Sequence, residues 1–139
     1  MNLEDCFEEG LLRKGESSKE RVQGSFVISE KFLENSKRVF KINCFDMAFL
    51  AVYNSMFHAA RALLFKDGIT ERSHFCFIRY LTEKYKEKEV LGMLNILDSY
   101  RLIRHRIQYD GKAMDKESVG EAINDAEEFL KTVKDLLKR

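Results

Sequence analysis

Apolar residues recur along most of this chain at intervals of three and four positions, which is the repeat of an amphipathic α-helix. The repeat predicts helices over residues 19–41, 45–66, 75–86, 90–109 and from about residue 115 to the C-terminus. The last of these has an unbroken apolar stripe, formed by Val119, Ile123, Ala126, Leu130, Val133 and Leu137. Residues 3–14 are acidic and apolar and predict one or two helical turns.

The helix predicted over residues 45–66 is the most apolar part of the chain. One stripe consists of Phe45, Phe49, Val52, Met56, Ala59 and Leu63, and further apolar residues flank it. A helix that is apolar over so much of its circumference is expected at the centre of a bundle.

Polar residues and glycines separate the predicted helices. Ser17 or Ser18 is placed to cap the helix that begins near residue 19, and Ser73 to cap the one that follows the loop of residues 71–74. Gly111 comes directly after a predicted helix, where glycine is favoured. The connections are therefore short, and they bring successive helices back alongside one another.

This pattern predicts one all-α domain over residues 1–139. Residues 1–16 form a short N-terminal segment, and residues 19–139 form an up-and-down antiparallel bundle of about four to five helices. A chain of 139 residues can bury a hydrophobic core of its own. The net charge of +1 excludes nucleic-acid binding through an overall positive field, so any anion site has to be local.

The cysteines, Cys6, Cys44 and Cys76, are odd in number and lack CxxC spacing. Neither a disulfide framework nor a zinc site is expected, and buried free thiols in a reducing cytoplasm are the default. The N-terminus is acidic and no apolar run reaches transmembrane length, so the prediction is a cytoplasmic protein without membrane contact. Nothing in the sequence indicates a metal or an organic cofactor.

Cationic residues are concentrated near the end of the helix predicted over residues 90–109. On a helix, Arg101, Arg104, His105 and Gln108 share one face, and Ile96, Tyr100, Ile103 and Ile107 share a second. If the apolar face is buried, the other presents stacked positive charge and hydrogen-bond donors that suit phosphate. The alternative is a cationic helix end that complements the helix dipole. Tyr109 either stacks on a base or closes the core.

Two further residues are candidates for phosphate binding. Arg61 is a cation in the most apolar helix, so it needs either a ligand or a carboxylate such as Asp98 or Asp46. His74 follows the predicted cap Ser73, at a helix start where unpaired N–H groups attract anions, although capping and packing would also explain it. His58, one helical turn before Arg61, is interpreted mainly as a packing residue.

Segments of the chain together resemble the HEPN domain family: residues 51–64, Ser73-His74, and residues 101–109 followed by 121–130. The resemblance implies an antiparallel helical bundle, often a homodimer with its arginine motif at a cleft between subunits. Many HEPN proteins pair with a minimal nucleotidyltransferase as toxin and antitoxin. Others cleave RNA without a metal ion or bind nucleotides.

The chain departs from the ribonuclease members of that family, which carry a histidine several positions after the arginine. Position 108 is Gln and no histidine lies beyond His105. The leading hypothesis is a nucleotide- or RNA-binding domain that acts with a nucleotidyltransferase-type partner. Its phosphate- or nucleotide-binding residues would be Arg101, Arg104, Arg61, His74 and Tyr109.

Two alternatives remain open from the sequence. One is a metal-independent endoribonuclease toxin in which His105 is the acid/base and Arg104 assists it. The other is a non-catalytic helical scaffold that binds another protein through an apolar face.

Overall fold

A computed structural model describes residues 1–138 and confirms the all-α bundle. Its elements, in chain order, are α1 (Leu3–Glu8), β1 (Leu12–Lys14), α2 (Lys19–Lys41), α3 (Phe45–Lys66), β2 (Ile69–Glu71), α4 (His74–Lys84), α5 (Lys88–Asp110) and α6 (Lys116–Leu137). The long helices therefore begin and end within a few residues of the positions that the apolar repeat predicts.

Capping side chains and a glycine define where several helices begin and end. Ser18 accepts a hydrogen bond from the N–H of Arg21, and Ser73 accepts one from the N–H of Cys76, so both serines cap helices as predicted. Gly111 has a φ of +69° and ends α5 in the left-handed conformation that glycine adopts without strain.

Helix α3 is the centre of the molecule and packs against α2, α5 and α6. Its buried side chains include Phe49, Met56 and Leu63, each 1% exposed or less. Contrary to the sequence prediction, α3 is long and apolar enough to cross a membrane by length and composition, with a mean hydropathy of 1.2. Because 67% of that stretch is buried inside the bundle, a central position in the core accounts for its composition.

A two-stranded antiparallel sheet, β1 with β2, was not predicted. It pairs Leu12 with Glu71 and Lys14 with Ile69. The predicted loop of residues 71–74 is thus correct only for residues 72 and 73, because Glu71 still belongs to the strand and His74 already begins α4. Each strand has three residues, too few to show an alternating pattern.

The prediction of three buried free thiols is wrong. Cys6 and Cys76 form a disulfide with Cα atoms 5.8 Å apart, and both residues are fully buried. Cys44 is free, but it is exposed at the start of α3. The pairing depends on α1 packing against α4 across 70 residues of sequence, a relationship that cysteine spacing does not encode.

Candidate functional site

A cleft of about 350 Å³ opens where α3, the start of α4 and α5 meet. Helix α3 contributes Tyr53, Asn54, Phe57 and His58, and α5 contributes Arg104. The rest of the lining is the last residue of β2, the two-residue connection and the first residue of α4: Glu71, Arg72, Ser73 and His74. Residues 51–64, Ser73-His74 and residues 101–109, separate in the sequence, therefore converge at one place.

Arg104 is the cation of α5 that enters this cleft. Its guanidinium carbon lies 4.7 Å from the centroid of the Tyr53 ring, a cation–π contact. Its Nε is buried without a hydrogen-bond partner, and within residues 1–138 it forms no ion pair with a carboxylate. A half-buried guanidinium with its charge uncompensated by the protein is suited to an anionic ligand.

Arg101 differs from Arg104 in having a carboxylate partner. Its Nε donates to Asp98 Oδ1 at 3.2 Å, one turn earlier on α5. Arg101 is not part of the cleft lining, so the structure does not place the two arginines in the same environment.

Arg61 has a carboxylate partner that the sequence did not suggest. Its Nε lies 3.0 Å from Glu71 Oε1, and its guanidinium carbon is 4.9 Å from the Phe65 ring centroid. Asp98 is paired with Arg101, and Asp46 accepts from the N–H of Met114, so neither proposed carboxylate serves Arg61. Arg61 is not part of the cleft lining, but its partner Glu71 is.

His74 links α3 to α5 through its side chain. Its Nδ1 is 3.4 Å from the Tyr53 hydroxyl, and its Nε2 is 3.6 Å from Asp98 Oδ1. Burial, with help from the charge of Arg101, lowers the pKa of His74 to about 4, so the imidazole is neutral at pH 7.

The neighbours of His74 indicate which of its ring nitrogens carries the proton. Asp98 beside Nε2 favours the proton there, which leaves Nδ1 to accept from Tyr53. Burial raises the pKa of Tyr53, so its hydroxyl remains a donor. Tyr53, His74, Asp98 and Arg101 thus form a row of polar groups. Tyr53 and His74 share a hydrogen bond, whereas Asp98 lies 3.6 Å from His74 Nε2, beyond hydrogen-bond distance.

His58 lines the same cleft from α3. It stacks on Phe32 with ring centroids 5.9 Å apart and meets Phe57 edge-on at 5.4 Å. Burial and, to a lesser degree, the Arg61 charge lower the pKa of His58, so this imidazole is also neutral at pH 7. From the sequence alone His58 is interpreted as a packing residue, because its neighbours in the helix are mostly apolar.

Unsatisfied polar groups are concentrated around the cleft. In residues 1–138, the buried side-chain polar atoms without a hydrogen-bond partner are His58 Nδ1, Arg61 Nε, Glu71 Oε2, His74 Nε2 and Arg104 Nε. All belong to the lining or to Arg61, which is ion-paired to it. By contrast, the buried hydroxyls of Ser29, Ser36 and Ser55 are all bonded. Buried polar groups are normally satisfied, so this concentration makes the cleft the candidate ligand site.

His105 and Tyr109, two other candidates from the sequence, lie outside the lining. Both are exposed, Tyr109 by 72%, and their rings contact each other with centroids 4.6 Å apart and planes tilted by 42°. Helical spacing predicted that Arg101, Arg104, His105 and Gln108 share one face of α5. Of these four residues, only Arg104 lines the cleft. The lining residues to which the sequence assigned no functional role include Tyr53 and Glu71. Asp98, which lies beside His74, was considered only as an ion-pair partner of Arg61.

A second groove, of about 590 Å³, adjoins the cleft, and Asn54 and Arg104 border both. Its other walls come mainly from apolar residues of α2 and α3, including Phe32, Val39 and Met47, of which Met47 is 60% exposed. Arg104 therefore stands between a polar cleft and an apolar groove.

No group of three or more His, Cys, Asp and Glu side chains in residues 1–138 is arranged to hold a metal ion.

Comparison with known proteins agrees with this picture. The family model for the HEPN domain matches residues 22–136. The chain is also similar to a protein of Methanocaldococcus jannaschii named "Putative toxin MJ0605", with 29% identity over 125 residues that span 86% of this chain and 91% of the relative. The matched region contains the whole lining of the cleft. The chain therefore belongs to the HEPN domain family.

Proposed function

We propose that this HEPN domain binds a phosphate group of RNA or of a nucleotide in the cleft at Arg104. The carrying observation is the half-buried guanidinium of Arg104, which stacks on Tyr53 and forms no ion pair within residues 1–138. A guanidinium matches the geometry of phosphate oxygens, and its attraction is stronger where water is partly excluded. His58 and His74 are both neutral at pH 7, so they add hydrogen-bonding groups to the cleft without repelling the guanidinium of Arg104.

The domain acts, in this proposal, as the toxin-like member of a pair with a minimal nucleotidyltransferase. The family membership and the similarity to a protein named as a toxin support this role. A homodimer formed through the apolar groove would place a second copy beside Arg104, because that groove and the cleft share this residue.

A second candidate function is metal-independent cleavage of RNA, and the two neutral histidines of the cleft favour it. A neutral imidazole can accept the proton of a ribose 2′-hydroxyl while that oxygen attacks the adjacent phosphorus. The bond from phosphorus to the 5′-oxygen then breaks, and the departing oxygen takes a proton from the imidazolium or from water. Arg104 would stabilise the negative charge that develops on the phosphate between these steps. In this version His58 takes the acid/base role, since it lines the cleft whereas His105 does not. A scaffold without ligands remains the third hypothesis, and it leaves the unsatisfied groups of the cleft unexplained.

Binding and cleavage of labelled RNA, measured with a chelator present, test these functions. Arg104→Ala should weaken binding about tenfold, the usual scale for losing charged hydrogen bonds. Arg106→Ala is the matched control, because Arg106 is an exposed arginine of the same helix and lies outside the cleft lining. Equal losses in the two variants, or none in either, would contradict phosphate binding at Arg104.

The same assay separates binding from catalysis. Cleavage that survives the chelator and disappears in His58→Gln, while His105→Gln keeps it, would make this protein a ribonuclease with its base in the cleft. The reverse result would restore the catalytic role that the sequence assigned to His105. If the folded wild type binds RNA but does not cleave it, the ribonuclease hypothesis is wrong and only the binding function is supported.

A further inference from the structure

A separate pocket of about 210 Å³ lies between α4 and α5, next to the cleft. It is lined by Phe75, Ile78, Arg79, Thr82, Asp98 and Arg101. The two sites meet at one contact: His74 of the cleft precedes Phe75 in the chain, and its Nε2 lies 3.6 Å from Asp98 Oδ1 of the pocket. The cleft and the pocket are therefore neighbours, with the contact between His74 and Asp98 at their boundary.

Phe75 is the unusual residue of the pocket. It is 55% exposed in the first turn of α4, whereas the core side of that helix is formed by Cys76, Phe77 and Leu81. The ring thus contributes little to the core and presents apolar, planar surface beside a polar cleft. Exposed aromatic rings next to cationic groups are the stacking platforms of proteins that bind single-stranded nucleic acids.

The charged residues of the pocket are paired and held in place. Arg101 Nε donates to Asp98 Oδ1 at 3.2 Å, and Arg79 Nε is 3.3 Å from Glu83 Oε1 on the same helix. A guanidinium stacks on flat rings and donates to their edges, and a carboxylate accepts hydrogen bonds from exocyclic amino groups of bases. These groups suit a planar heterocycle with a polar edge better than an aliphatic side chain.

We infer that this pocket is a nucleobase subsite, in which a base attached at or next to the phosphate bound by Arg104 stacks on Phe75. Asp98 accepts from the edge of the base, so bases with an amino group bind better than uracil, which has none. The inference rests on the proposed phosphate binding in the cleft and adds to it the part of the ligand that Phe75 recognises.

The test compares two oligoribonucleotides with the same backbone, one of cytosines and one without bases, by fluorescence anisotropy. Wild type should bind the cytosine oligomer about tenfold more tightly, the scale of one base stacked on an aromatic ring. Phe75→Ala should remove that difference without changing the affinity for the abasic oligomer. Phe75→Tyr, which retains the ring, should preserve the difference. Val27→Ala is the matched control, since Val27 is 62% exposed on α2 and lines neither the cleft nor the pocket.

Each outcome is decisive. If wild type binds neither oligomer, both the proposed function and this inference are wrong. If the abasic oligomer binds through Arg104 while Phe75→Ala retains the preference for bases, phosphate binding holds and the base subsite is wrong. An oligomer of uracils that binds as tightly as one of cytosines would overturn the role given to Asp98. Circular dichroism of each variant establishes that it is folded.

Discussion

The guanidinium carbon of Arg104 lies 4.7 Å from the centroid of the Tyr53 ring, and this contact joins the cation of α5 to the central helix of the bundle. The same tyrosine places its hydroxyl 3.4 Å from His74 Nδ1. Tyr53 therefore supports two parts of the cleft by different means, its ring by a cation–π contact and its hydroxyl by a hydrogen bond.

Substitutions at Tyr53 should separate these two contributions. Tyr53→Phe keeps the ring and should leave RNA affinity within about twofold of wild type. Tyr53→Leu removes the cation–π contact and should weaken binding about fivefold, because Arg104 is no longer held in place. Anisotropy titrations measure both. A Phe variant as weak as the Leu variant would show that the hydroxyl, and not the ring, matters for binding.

His74 should make the protein less stable in mild acid. Burial holds its pKa at about 4 in the folded chain, against a usual value near 6.5 when unfolded. Between these values the unfolded chain binds a proton that the folded chain does not, so stability is present above pH 6.5 and falls as the pH drops. Between pH 7 and pH 5 the loss from His74 should be about 2 kcal/mol.

Urea unfolding of wild type and His74→Gln at the two pH values checks this expectation. The glutamine variant should lose distinctly less stability than wild type, since Gln does not titrate. His105→Gln is the control, because that histidine is exposed and outside the cleft. An identical pH dependence in wild type and His74→Gln would mean that His74 is not buried as described.

The ion pair of Arg61 and Glu71 should be important for stability. The two side chains are 29% and 11% exposed, so removing one charge leaves the other in a poorly solvated place. Glu71→Gln should lower the free energy of unfolding by about 2 kcal/mol. Glu34→Gln, which breaks the exposed pair with Arg38 on α2, should change it by less than about 0.5 kcal/mol. Thermal denaturation of the two variants gives the comparison, and equal changes would contradict the prediction.

Because Cys6 and Cys76 are bridged, the number of free thiols should differ between the unreduced and the reduced protein. Alkylation of the denatured, unreduced protein should modify Cys44 alone, and prior reduction should expose all three cysteines. Because the bridge closes a loop of 70 residues, Cys6→Ala with Cys76→Ala should lower stability by about 4 kcal/mol on the loop-entropy argument. Three modified cysteines before reduction would show that the bridge is absent.

The parts of this fold that the sequence predicted are those fixed by neighbouring residues. The apolar repeat located α2, α3, α5 and α6, and the hydroxyls of Ser18 and Ser73 marked helix starts. Arg104 stood out because cationic residues cluster around it in the sequence.

The parts that the sequence missed depend on residues far apart in the chain. The β1–β2 pair, the Cys6–Cys76 bridge and the Arg61–Glu71 contact each require the bundle to be assembled first. The same holds for the cleft, because helical spacing places Arg104 and His105 close together but cannot say which of them a neighbouring helix covers. The place of His58 in the cleft could not be predicted for a related reason. Its apolar neighbours in the sequence do not show that a cavity opens beside it.

The N-terminal segment lies ahead of the region that matches the HEPN model, residues 22–136, yet it is attached to the part of the chain that builds one wall of the cleft. Strand β1 pairs with β2, which ends at Glu71, and the bridge from Cys6 ends two residues after His74. These two attachments enclose the stretch of chain that contributes Glu71, Ser73 and His74. A change in residues 1–16 can therefore alter the positions of Glu71, Ser73 and His74, and with them the shape of the cleft, while every residue that lines the cleft stays the same. Sequence variation outside the region that defines the family can thus change the candidate site within it.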